Sequence, residues 1–286
     1  MLQKYGWWFM STKRRRMRRR NRMKRRIIRI GLFSALFIVI FGVASKIFTG
    51  KDQSAGIEEA TETELIEVVE ASAKYVVCLD AGHGFDDVGC ESNWLDGTES
   101  EVTLAMVEIL QEHLESESVE VILTHDGESF PSAQTIIEMA QEKNIKYLEE
   151  EIIDNHIFSA YERAIYTLIL NEETPIDLFL SLHINSLDEY PDISQYELYY
   201  YEENLFASRL KTFCSVLSME LDNKTKIFAT ELDDSFVVTK YGTFPSVLIE
   251  AGYASNKNDA GNLNSEEWRQ KFCEILSTEI LTWLES

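Results

Sequence analysis

Four side chains in this sequence could carry hydrolytic chemistry: His83, Glu99, His183 and Glu250. The first lies in Cys78-Leu79-Asp80-Ala81-Gly82-His83-Gly84-Phe85-Asp86-Asp87-Val88-Gly89. Glycines on both sides let the backbone bend sharply there and leave the imidazole facing open space. Alone, a turn histidine is more often solvated than functional. Two neutral imidazoles and a carboxylate, however, are the ligand set of many hydrolytic zinc sites, with a fourth position left for water. His83, Glu99 and His183 supply that set. Zinc lowers the pKa of bound water toward about 7 and polarises a carbonyl oxygen. A second carboxylate near the water takes up its proton and passes it to the leaving group, and Glu250 is the candidate. The sequence has no His-Glu-x-x-His helix, no glycine-rich loop of phosphate-binding spacing and no Gly-x-Ser-x-Gly elbow, which excludes thermolysin-type, nucleotide-binding and serine-hydrolase readings.

These residues matter only if the chain brings them together. Tyr75–Leu79 is a short apolar run closed by turn residues, the pattern of a buried strand. Thr98 followed by Glu101 is a capping box and predicts a helix starting at Glu99, with Val102, Ala105, Met106, Ile109, Leu110 and Leu114 as its apolar stripe. Glu99 then occupies the first turn, where the helix dipole favours a carboxylate. Its role is either that alone or a metal ligand turned toward the His83 loop. Val119–Thr124 reads as a second strand. A helix is expected after Pro131 and another over Phe158–Leu170. Asp177–Ser186 is the third strand, with His183 near its end. Gln195–Tyr201 is an aromatic strand, Leu205–Leu221 a helix, Phe236–Thr239 a short strand, Ser246–Gly252 a strand ending on Glu250, and Glu266–Leu284 a closing helix.

Strands separated by helices imply an α/β three-layer sandwich with a mostly parallel central sheet, in which ligands bind beyond the carboxyl ends of the strands. His83, His183 and Glu250 fall at or just past such ends, and Glu99 starts a helix entered from one of them. All four are therefore expected on one edge of one sheet.

The formal net charge of −22 hides a sharp asymmetry. Residues 1–50 contain 14 Lys and Arg and no acidic residue; the other 13 basic residues and all 49 acidic ones lie in 51–286, a net of −36. The basic run of residues 13–29 is followed by Ile30–Ser45, which carries no charge and, with its apolar flanks, reaches the roughly 17–25 residues that span a bilayer. Residues 1–29 read as a basic cytoplasmic tail, 30–48 as one transmembrane signal anchor, 49–73 as an acidic stalk, and 74–286 as an exported catalytic domain, because basic flanks stay inside. A cleaved signal peptide is the rival reading of the apolar stretch. The arginine run is expected to touch anionic lipid head groups. Its place directly before a membrane span makes topology a simpler account than nucleic-acid binding, so no nucleic-acid partner is expected. The spacing of Cys78, Cys90, Cys214 and Cys273 matches no zinc finger. Export permits disulfides, but Cys78 and Cys273 sit in apolar periodic segments and read as buried thiols.

The chain resembles the zinc-dependent N-acetylmuramoyl-L-alanine amidases of the type-3 amidase family over about residues 75–284. The resemblance rests on several motifs in series: Leu79-Asp80-Ala81-Gly82-His83-Gly84 with Asp87 and Gly89; Gly97-Thr98-Glu99 ahead of Val102, Leu104 and Ala105; Arg163; Asp177 to Asn185; Pro245 to Tyr253; and Ser255-Asn256. It implies one Zn2+ per chain held by His83, Glu99 and His183, with Glu250 as the catalytic carboxylate. The substrate implied is peptidoglycan, cut at the amide between the lactyl group of N-acetylmuramic acid and L-alanine of the stem peptide, in a bacterial cell envelope. Asn185 and Phe85 are expected to face the substrate. Phe85 stands where the family usually has glycine and would narrow the cleft. His125 stands in place of an arginine and reads as a surface residue. An insert at about 127–158 reads as a surface excursion, a lid or the docking site of a regulatory protein. An inactive wall-binding protein on the same fold, or a zinc peptidase acting within the stem peptide, are the alternatives; the presence of all four polar residues favours the active amidase.

Overall fold

Alternation along the strands sorts the chain's side chains onto two unlike faces. In the computed structural model, which describes residues 75–146, 159–221, 225–230 and 236–286, strand β1 (Tyr75–Ala81) sends Val77, Leu79 and Ala81 into one apolar cluster and Cys78 into another. Strand β3 (Leu178–Asn185) does the same with Leu178, Leu180, Leu182 and Ile184 against Phe179. So does β6 (Ser246–Tyr253), with Val247, Ile249 and Ala251 against Leu248. This is the period of two that a strand imposes. With β2 (Val119–Leu123), β4 (Glu197–Tyr201) and β5 (Lys226–Thr230), these strands form one six-stranded sheet in the order β2-β1-β3-β6-β4-β5. β2, β1, β3 and β6 are parallel; β4 is antiparallel to β6 and parallel to β5.

Helices cover both faces. On the apolar face lie α1 (Glu99–Ser116), α4 (Ala207–Leu221) and α6 (Glu266–Leu284), which bury Met106, Leu110, Leu114, Leu210, Leu217, Leu276 and Ile280. On the other, α3 (Ala160–Glu173) packs Ala160, Leu168 and Leu170 toward the sheet and Tyr161, Ile165 and Ile169 against Ile136 and Ala140 of α2 (Ala133–Glu142). A short helix, α5 (Lys257–Asn264), follows β6 and is capped by Asn256, whose side chain accepts from the Asn258 and Asp259 amides. The expected α/β architecture with a mostly parallel sheet is present.

The predicted strand at Phe236–Thr239 is instead a turn of 3-10 helix, Val237–Thr239. Its β-branched residues match strand composition, but three residues that bury Val238 against the sheet's second face need no ladder. The sequence pattern also passed over β5 and α5. β5 exposes four of its five residues at the sheet edge and so shows no alternation. α5 has few apolar residues, burying only Ala260 and Leu263. All four cysteines are free thiols; Cys78, Cys214 and Cys273 are buried and Cys90 is half-buried. The basic tail, the 30–48 span, the 49–73 stalk and residues 147–158 of the insert lie outside the described residues. Among the described residues, no helix is long and apolar enough to cross a membrane.

Candidate active site

β1 ends in a turn that presents His83. The Gly82 amide donates to the Leu182 carbonyl at 2.8 Å, tying the turn to β3, and Gly84 and Asp87 exchange two backbone hydrogen bonds at 2.7 and 3.0 Å. Asp87 Oδ2 lies 2.8 Å from His83 Nδ1 and orients the ring. His83 Nε2 then faces Glu99 Oε1 at 3.3 Å. Glu99 is placed by the α1 N-terminus, where the Thr98 side chain accepts from the Glu101 amide. Its Oε1 accepts from the Ile184 amide at 2.9 Å and sits 3.1 Å from His183 Nδ1, while its Oε2 accepts from the Cys90 amide at 2.9 Å. One donor atom from each of His83, Glu99 and His183 lies within 4.8 Å of the others. The two imidazoles meet edge to face, 5.0 Å between centroids.

Two glycines make this approach possible. A Cβ on Gly82 would fall 2.5 Å from His183 Nδ1, and one on Gly89 would fall 2.6 Å from Glu99 Oε2 and 2.7 Å from His83 Cδ2. Gly89 also needs φ +68, a left-handed backbone that side chains disfavour. Phe85 adopts φ 54 without that freedom, at a cost of about 1–2 kcal/mol for a residue with a Cβ.

Glu250 lies beside His183 in the β3–β6 ladder and opposite Glu197 in the β6–β4 ladder. Because β4 runs antiparallel, its first residue sits at the carboxyl edge of the parallel strands. Sequence reasoning looked for chemistry at the C-terminal ends of strands and missed Glu197; a carboxylate in phase with Tyr199 and Tyr201 on an aromatic strand was the one local hint, and it does not tell which end of the strand meets the site. Glu197 accepts four hydrogen bonds, from Asn185 Nδ2 (2.9 Å), Tyr199 OH (2.6 Å), Tyr253 OH (2.6 Å) and Gln195 Nε2 (2.5 Å). The Asn185 amide, expected to face substrate, is thus held within the protein, donating to Glu197 and to Tyr253 OH and accepting from the Ser186 amide.

A third carboxylate anchors the end of β1. Asp80 is fully buried and accepts from Arg163 Nη1 (2.5 Å), Ser181 Oγ (2.6 Å) and Thr124 Oγ1 (2.6 Å). His125, expected at the surface, is 4% exposed, with Nε2 at 2.8 Å from the Ala81 carbonyl. It packs under the His83 turn, its ring 5.8 Å from Phe85. Burial pushes its pKa down. Position after a strand suggested exposure; β2 in fact delivers it against β1.

Electrostatics divide the site. Burial opposes ionisation of Glu99, but the hydrogen bonds and charges of His183 and His83 outweigh it and hold the carboxyl well below the usual range. Burial lowers the pKa of His183, and its bond to Glu99 does not overcome that. His83 is more exposed, so Glu99 and Asp87 prevail over burial and raise it. Burial, with Glu99 and Glu197 nearby, pushes Glu250 well above the carboxylate range. Two buried atoms here have no hydrogen-bond partner, His183 Nε2 and Glu250 Oε2. Unsatisfied buried groups are rare and ask for an explanation; a cation among His83, Glu99 and His183 and a water beside Glu250 fit both atoms and the donor set.

Residues 77–281 match the N-acetylmuramoyl-L-alanine amidase family. The germination-specific N-acetylmuramoyl-L-alanine amidase of Bacillus subtilis (strain 168) is 25% identical over 210 residues, covering 73% of this chain and 79% of that protein. Among solved structures, the N-acetylmuramoyl-L-alanine amidase of Clostridium difficile 630 aligns with a TM-score of 0.55 at 19% identity, over 75% of this chain and 99% of that one. The CwlD amidase of Clostridioides difficile, solved in complex with the GerS lipoprotein, aligns with a TM-score of 0.50 at 22% identity, over 74% and 98%. These two structural likenesses establish a shared fold. With His83, Glu99, His183 and Glu250 all inside the matched range, the chain belongs to the type-3 N-acetylmuramoyl-L-alanine amidases, a family of peptidoglycan amidases.

Proposed function

We propose that this chain is a zinc amidase, anchored in the membrane by residues 30–48 and acting outside it, that hydrolyses the amide between N-acetylmuramic acid and L-alanine of the stem peptide. One observation carries the reading: two imidazoles and a carboxylate converge within 4.8 Å beside a buried carboxylate with an unpartnered oxygen. His83, Glu99 and His183 would hold the zinc, which when bound polarises a carbonyl oxygen and acidifies water.

The rest falls to the chain's own groups. Asp87 fixes the His83 ring by its bond to Nδ1. The Cys90 and Ile184 amides fix the Glu99 carboxylate, the kind of outer support that orients metal ligands. Glu250 is the one carboxylate of the site with an oxygen free to exchange a proton. It takes a proton from the attacking water and delivers it to the amide nitrogen as the C–N bond breaks. Burial, with Glu99 and Glu197 nearby, raises its proton affinity, which suits the delivery step; a cation held by His83, Glu99 and His183 would lower it, which would suit the uptake step. The product peptide then begins at L-alanine with a free amine. CwlD is assembled with a lipoprotein, and a regulatory protein at the 127–158 insert is the corresponding proposal for this chain.

Metal analysis joined to muropeptide digestion tests the reading. About one zinc per chain is expected, with a saccharide bearing a free lactyl carboxylate and a stem peptide starting at L-alanine as products. Cleavage by metal-free protein would refute the zinc assignment. Products cut inside the stem peptide would refute the amidase assignment and favour a peptidase.

A further inference from the structure

The turn that carries His83 holds a residue whose backbone argues against its presence. Phe85 and Asp86 connect the bridged pair Gly84 and Asp87, and Phe85 sits in this two-residue connection with φ 54, a position where glycine is favoured. A bulky residue kept in a disfavoured conformation is held by its surroundings, and such strain clusters at functional sites. The surroundings are a row of rings. Phe85 lies 5.8 Å from His125 and 6.5 Å from Phe130, and Phe130 meets Tyr166 of α3 edge to face at 5.2 Å. Phe130 belongs to the first part of the insert and packs on the cluster formed by α2 and α3. Phe85 is nonetheless 37% exposed. A ring held by its neighbours and still partly exposed is a ready contact surface, because ordering it on binding costs little further entropy.

We propose that Phe85, backed by Phe130, is a specificity-determining wall of the cleft, and that the first part of the insert serves as the buttress of that wall. The proposal rests on the amidase reading. The chemistry recognised is the aliphatic C–H surface beside the scissile amide, which the saccharide with its lactyl methyl or the alanyl end of the peptide can supply.

Steady-state kinetics of the full chain on soluble muropeptides test this. Phe85→Gly suits the backbone and removes the ring, and Phe130→Ala removes its support. For Phe85→Gly we expect a roughly three- to ten-fold rise in KM, the size of one aromatic contact, with a smaller fall in kcat; Phe130→Ala should give a smaller rise in KM, and Phe85→Tyr should restore the wild-type value. Product inhibition distinguishes the sources: weaker inhibition by the lactyl saccharide assigns the contact to the sugar side, and weaker inhibition by the free stem peptide assigns it to the peptide side. An unchanged KM in Phe85→Gly overturns the proposal, as does a KM rise with both inhibition constants unmoved. Wild-type KM in Phe130→Ala overturns the buttress. If the wild-type chain cleaves no muropeptide, the amidase reading fails separately, and calorimetric binding of the same two product classes to wild type and Phe85→Gly still decides the wall.

Discussion

Asp80 and Glu250 are buried carboxylates on the same face of the same sheet, and the protein treats them in opposite ways. Asp80 receives a guanidinium and two hydroxyls. Burial alone would raise its pKa; Arg163, Ser181 and Thr124 outweigh burial and hold it below the usual range. Glu250 has a buried oxygen with no donor and carboxylates nearby, and its pKa is driven up. The difference lies in the partners, since both are out of water. Saturated, a carboxylate pins one strand end to a helix. Left unsaturated, it becomes a group that holds its proton more tightly than an ordinary carboxylate, the environment-set division of labour by which acid and base roles are assigned.

Replacing the unsaturated member should break function and spare the fold. Glu250→Gln is expected to cut kcat by about 10²–10⁴-fold, the usual worth of general acid–base catalysis, while leaving zinc content and melting temperature at wild-type values or slightly above. The sign follows from linkage. A carboxyl whose folded pKa is raised contributes stability that is present below the unfolded value of about 4.3 and lost as pH rises through the folded value. Removing its charge therefore costs no stability at neutral pH. A lower melting temperature in Glu250→Gln would contradict the contrast with Asp80.

Replacing the partner of the saturated member should do the reverse. Arg163→Met leaves Asp80 buried without its cation and should destabilise the fold by about 3–5 kcal/mol, the usual outcome of breaking a buried pair, measured by denaturant unfolding. Adding Asp80→Asn should recover part of that loss, because the two residues touch and their effects will not add. The pH dependence is opposite to that of Glu250. With its folded pKa depressed, Asp80 contributes stability above the unfolded value of about 3.9 that is lost as pH falls through the folded one. Asp80→Asn should flatten that acid limb of the unfolding curve.

Much of this contrast was legible in the sequence. His83, His183 and Glu250 lie at the ends of apolar runs, Glu99 follows a capping residue, and parallel topology alone predicts that all four share an edge. Asp80 and Arg163 were visible as motif residues, but nothing local said that they pair across 83 positions. Glu197 was hidden because strand direction is a tertiary property: its residue types are the same whichever way β4 runs. His125 was misjudged for a similar reason, since burial depended on β2 pairing with β1 at a register that periodicity does not specify.

Glu197 offers the finest test, because it faces Glu250 directly across β4 and β6 and is as saturated as Asp80 without a cation. In Glu197→Gln one acceptor becomes a donor. Each carboxylate oxygen now receives one tyrosine hydroxyl and one amide. The hydroxyls can turn to accept, but an amide must flip. Asn185 would lose the Ser186 amide bond by flipping, so the new donor should settle on the Gln195 side. The stability cost should then be about 1 kcal/mol, at the lower end for an imperfectly satisfied buried group. The larger consequence is electrostatic. Glu197 is one of the charges that raise Glu250, so its neutralisation should move the acid limb of the kcat/KM profile to lower pH. If that limb stays in place while stability falls, Glu197 is a strut like Asp80, and the proton affinity of Glu250 is set by burial and Glu99 alone.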